Sequence, residues 1–183
     1  MMDNLDTETA LIEAILHLES DPVDSAVLAR ISGLGKDAVE KALEALAERC
    51  ALANSGLALT RLAGGVMLAP KAEYWETLRE HYGKKNENRL SRAALETLSI
   101  IAYSQPITRA EIEAIRGVQA DNMIRLLLER QLIREAGKKD VPGKPVQYGT
   151  TKEFLKFFRL ESIADLPKLS ESEADRFELV PEK

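Results

Sequence analysis

Apolar residues recur at helical spacing over residues 7–19, where Leu11, Ile12, Ile15, Leu16 and Leu18 make one broad face. Asp21-Pro22-Val23-Asp24 interrupts that face with a turn. Asp24 is placed to cap a second helix, and Val23 to pack on Leu28 as a hydrophobic staple. The second helix carries Leu28 and Ile31 inward and stops at Gly33. A third runs from about Lys36 to Cys50, with Val39, Leu43 and Leu46 in register. Beyond it, residues 57–61 and 65–69 read as two short strands around a tight turn. They lead into a further helix, 73–81, bearing Tyr74, Trp75 and Leu78.

The same order then repeats. Ser91 can cap a helix with Leu95, Leu98, Ile101 and Ala102, which Gln105-Pro106 breaks. Thr108 and Glu111 have the spacing of a capping box, and Ile107 and Ile112 that of its staple. Ile112 and Ile115 line the next helix, ended by Gly117. Met123, Leu126 and Leu127 face inward on a third, from about 120 to 130. At an offset of 84 residues Pro22 falls on Pro106, Val23 on Ile107, Leu28 on Ile112, Gly33 on Gly117 and Leu43 on Leu127. Residues 132–137 and 146–149 then read as strands around a Pro- and Gly-containing loop, followed by a helix over 152–158.

Three helices closed by a β-hairpin is the winged-helix form of the helix-turn-helix. The expected fold is therefore mainly α with small β wings, as two tandem winged-helix domains. The first occupies residues 1–83 and the second 91–169. Residues 84–90, almost free of apolar side chains, read as a linker, and the Ser/Glu-rich stretch 170–183 as an acidic flexible tail.

Charge sharpens this division. Residues 1–83 hold seven Lys/Arg against fourteen Asp/Glu, residues 84–160 fifteen against nine, and residues 161–183 three against seven. An acidic half, a basic half and an acidic end point to domains with different partners, or to domains that attract each other. No stretch approaches the ~20 apolar residues of a membrane span, and the acidic N-terminus is unlike a signal peptide. The single cysteine, Cys50, has no internal partner. A cytoplasmic protein without membrane contact is expected.

Catalytic chemistry finds little support. His17 and His81 are the only histidines, and His17 sits in an apolar helix. No phosphate-binding glycine loop precedes a helix, and no His/Cys/Asp cluster has metal-ligand spacing. The chain is expected to be no enzyme and to hold no metal or cofactor. DNA binding, as a winged-helix transcription regulator, is the alternative of a different class. In the first domain Asp37, Glu40, Glu44 and Glu48 on the third helix would repel phosphates. In the second, Lys138, Lys139 and Lys144 could meet a DNA backbone, while Asp121 and Glu129 interrupt the basic surface.

Several stretches of the second half resemble bacterial segregation and condensation protein B. They are residues 90–98, Ile101-Ala102-Tyr103, residues 105–112, Ile115-Arg116-Gly117-Val118, Leu127-Leu128-Glu129-Arg130, the loop 137–145, Gly149-Thr150-Thr151 and residues 165–169. The resemblance is dense over 90–169 and looser over 5–83. It implies a homodimer, joined through the N-terminal domains, that binds the kleisin ScpA and through it an SMC ATPase. Such a subunit is cytoplasmic and nucleoid-associated, and helps condense and partition chromosomes during cell division. The mixed charge of Arg109, Glu113 and Arg116, with Asn122 and Arg125 on the following helix, marks an expected kleisin-binding face. Leu11, Ile15, Tyr74 and Trp75 supply more apolar surface than one small domain needs, and mark an expected dimer interface.

Overall fold

A computed structural model of the protein describes residues 4–82 and 90–169. The chain divides into two compact units between Glu87 and Asn88. The expected linker, Leu90 apart, and the expected tail 170–183 lie outside the described residues. Both units are mainly helical with a small antiparallel sheet.

In the first unit α1 (Asn4–Leu18), α2 (Ser25–Ser32) and α3 (Lys36–Ala51) precede a hairpin of β1 (Leu57–Leu62) and β2 (Gly65–Pro70). A 3-10 turn at Ala72–Tyr74 leads into α4 (Trp75–Tyr82). Asp24 has extended backbone, and its carboxylate accepts the Ala26 N–H at 2.7 Å, which starts α2. Gly33 ends it in the left-handed region, φ 74°, its N–H donating to Ala29 O. Ile12, Leu16, Leu28, Val39, Leu43 and Leu46 form the core, with Cys50, a free thiol 6% exposed, among them. Val23 and Val66 exchange both backbone hydrogen bonds, 2.8 and 2.9 Å, so the segment before α2 is pinned to β2. Beside this crossing a Cβ on Gly65 would stand 2.9 Å from the carbonyl carbon of Pro22 and 3.0 Å from two backbone atoms of Val23.

The second unit runs α5 (Arg92–Ser104), β3 (Ile107–Thr108), α6 (Arg109–Arg116), α7 (Asp121–Glu129), β4 (Ile133–Lys138), β5 (Val146–Thr150) and α8 (Lys152–Phe158). The Ser91 hydroxyl accepts the Ala94 N–H, and the Thr108–Glu111 capping box closes in both directions. The sheet has the order β3-β5-β4, all antiparallel, with a bulge between Glu135 and Gly137. Leu98, Ile101, Ile112, Leu127 and Phe154 centre the core.

The 84-residue correspondence extends to backbone geometry. Gly117, φ 72°, ends α6 as Gly33 ends α2. Ile107, like Val23, pairs with the returning strand of its own hairpin. Four of the assigned apolar-face residues are exposed: Leu11, Leu18, Ile31 and Leu95. Ile31 is half-exposed: three residues beyond the fully buried Leu28, it is rotated by about 60° from it in the last turn of a short helix. Leu18, the final residue of α1, is 81% exposed.

Candidate functional site

The second unit carries a groove of about 440 Å³ between α7 and β5. Asp121, Ile124, Arg125 and Leu128 line one side, at the i, i+3, i+4 and i+7 spacing of a single helical face. Val146 and Tyr148 line the other, two residues apart and so on one face of β5, with Pro145 before them. Arg109, first residue of α6, closes one end and is ion-paired with Asp121. The floor is thus apolar and the rim charged. Arg125 is exposed and has no ion pair among the described residues.

The surroundings hold both walls in place. Tyr148 pairs across the sheet with Ile107 on one side and Glu135 on the other. Burial, then the Glu135 charge, pushes its phenol above the usual tyrosine range, so it stays protonated and able to donate. The hairpin loop is tied to α6 by Lys139 Nζ, which donates to Glu111 Oε1 at 2.6 Å. The other carboxylate oxygen accepts the N–H and the hydroxyl of Thr108, each at 2.7 Å. Burial pushes the Glu111 carboxyl up, but the hydrogen bonds from Lys139 and Thr108 and the lysine charge outweigh it. The net result lies below the ordinary glutamate value.

Of the five residues expected on the partner face, Arg109 and Arg125 line this groove and Asn122 is exposed on α7. Glu113 instead ties α6 to the residue before α7: its Oε1 accepts the Ala120 N–H at 3.0 Å. Arg116 is no surface charge, with 6% of its side chain exposed. Its Nη1 donates to Gln119 O at 3.2 Å, and Nη2 lies 3.6 Å from Glu96 Oε2. Its Nε has no hydrogen-bond partner among the described residues. The apolar floor is not legible in the sequence reading, which turns Met123, Leu126 and Leu127 inward on this helix and gives Ile124 and Leu128 no face; in the structure Ile124 and Leu127 are the buried pair, and Met123 and Leu126 are half-buried. The i, i+4 spacing of Ile124 and Leu128 and the i, i+2 spacing of Val146 and Tyr148 were the available signal.

On the hairpin, Lys138 and Lys144 are exposed, whereas Lys139 is engaged by Glu111. In the first unit Leu11, Tyr74 and Trp75 are exposed, together with Leu5 and Leu18. Ile15, expected beside them, is 8% exposed and belongs to the core. At 100° per residue it lies about 40° from Leu11 and about 60° from Ile12, between the exposed edge and the buried face, and it packs in the core with Ile12 and Leu16. Among the described residues no group of three or more His, Cys, Asp and Glu could hold a metal. No described helix is long and apolar enough to cross a membrane.

Residues 10–169 match the family of segregation and condensation complex subunit ScpB. Segregation and condensation protein B of Syntrophotalea carbinolica is 43% identical over 93% of this chain and 85% of that protein. A crystal structure of ScpB from Mycobacterium tuberculosis is 31% identical, over 86% of this chain and 98% of its own, with a TM-score of 0.41. A dimer of ScpB N-terminal domain complexed with ScpA peptide is 24% identical over 43% of this chain and 98% of its own, also with a TM-score of 0.41.

Proposed function

The chain belongs to the segregation and condensation complex subunit ScpB family, and from that premise we propose that it is a homodimeric, non-catalytic adaptor of a bacterial SMC–kleisin complex. In this reading both units are winged helices put to protein binding. The first dimerises through the exposed strip of α1 and the aromatic pair Tyr74–Trp75. The second captures the kleisin ScpA, which connects the adaptor to the SMC ATPase on the nucleoid.

The α7–β5 groove is the observation that carries the kleisin assignment. An apolar floor flanked by Arg109 and Arg125 suits a peptide with apolar anchors and acidic neighbours, the anchors giving affinity and the charges register. It suits a DNA duplex poorly. Phosphates need a face of cations, and here Asp121 occupies Arg109 while Ile124 and Leu128 contribute no charge. Lys138 and Lys144, on the hairpin, remain available for salt-dependent contact with a DNA backbone beside this role.

Calorimetric titration of ScpA into the Arg125→Glu protein tests the site. Arg125 is exposed, so the substitution leaves the fold intact and is expected to weaken binding about tenfold or more, the scale of one charge-assisted contact. Undiminished affinity would place the kleisin elsewhere.

A further inference from the structure

One segment of this chain has chemistry that matches the groove. Within residues 170–183, Phe177, Leu179 and Val180 are the only bulky apolar side chains, and Glu173, Asp175 and Glu178 surround them. The stretch holds five acidic residues against two basic ones. Against it stand the apolar floor of Ile124, Leu128, Val146 and Tyr148 and the cations Arg109 and Arg125.

The described chain also ends beside an element that leads directly to the groove. Tyr103 donates its hydroxyl to Pro167 O at 2.7 Å, so the described chain leaves the unit beside the end of α5. Six residues beyond Tyr103 stands Arg109 on the rim of the groove, a separation of at most ~23 Å at 3.8 Å per step. From Leu169 to Phe177 the chain can cover ~26–29 Å.

We propose that residues 173–180 dock intramolecularly in the α7–β5 groove and compete there with the kleisin. The competition rests on the kleisin reading above; the docking does not. A tethered segment acts at a millimolar effective concentration, so even a weak contact holds the groove for a substantial fraction of the time. An incoming partner then binds only the open fraction, and its apparent affinity falls in proportion. The tail is a low-affinity internal competitor that sets a threshold for kleisin loading.

Two measurements on the full chain decide the matter. The first places a photo-crosslinking benzoylphenylalanine at Phe177 and maps the adducts by mass spectrometry. Intrachain adducts on the peptides holding Ile124 and Leu128, or Val146 and Tyr148, are expected. Adducts elsewhere, or only between chains, overturn the docking. The second titrates ScpA into a Phe177→Ser, Leu179→Ser, Val180→Ser variant, whose affinity should rise roughly two- to tenfold by the open-fraction relation. An unchanged affinity overturns the competition. The two readings fail separately. Groove adducts that ScpA does not suppress support docking and reject the groove as the kleisin's site. Arg125-dependent ScpA binding with adducts outside the groove rejects the docking alone.

Discussion

Glu111 takes three hydrogen bonds on a side chain that is only 17% exposed, and its ionised form is the one those bonds favour. Its pKa is held below the ordinary value of 4.5, so its charge stabilises the folded state above about that pH. The contribution is lost as pH falls through the lower, folded-state pKa. Glu111→Gln should therefore lower the thermal midpoint at pH 7, and the gap from the parent should close as pH falls below the ordinary glutamate value and through the lower folded-state one. Midpoint curves that stay parallel across that range would remove the carboxylate from this role. Arg116 shows how residue identity can mislead. A position four after buried Ile112 lies about 40° from it around α6, on the inner side. The charge argues for the outer face, yet an arginine stem can lie along apolar surface while its guanidinium reaches Glu96 and Gln119 O. Periodicity was the better guide here, because the partners that make burial tolerable are distant in the chain or belong to the backbone.

Among the elements, those set by local chemistry were legible. Asp24, Ser91 and Thr108 start helices, Gly33 and Gly117 stop them, and the structure has each where the caps put it. β3 was not legible, since two residues give no alternation to read and Ile107 had already been assigned as a staple. The groove escaped for a related reason: its walls come from α7 and β5, and no sequence pattern states which apolar faces stop short of closing on each other. The pinning of Val23 to β2 has a direct test in Gly65→Ala. The added Cβ would press on the backbone of Pro22 and Val23, which cannot swing away as a side chain can. A loss of about 1–3 kcal/mol, the usual range for overpacking, is expected in chemical denaturation. Full stability in that variant would mean the crossing is looser than drawn.

For the whole molecule, a set of caps, stops and core positions that recurs 84 residues apart carries two different surfaces. The first unit exposes Leu5, Leu11 and Leu18 along α1, and the second a charged-rim groove. If the α1 strip joins two copies, Leu11→Asp with Leu18→Asp should shift sedimentation to the 20.3 kDa monomer without unfolding, since neither side chain is buried. A monomeric parent, or a variant that sediments unchanged, would reject the strip as the interface. One buried atom serves a different end. Cys50 is the only cysteine of the chain and lies shut in the core of the first unit. An alkylating reagent can reach its sulfur only when that unit opens, so the labelling rate in native buffer is a clock for opening there. The second unit has no thiol to confuse the signal. The protein thus carries a built-in tracer that reports on one of its two units and is silent on the other.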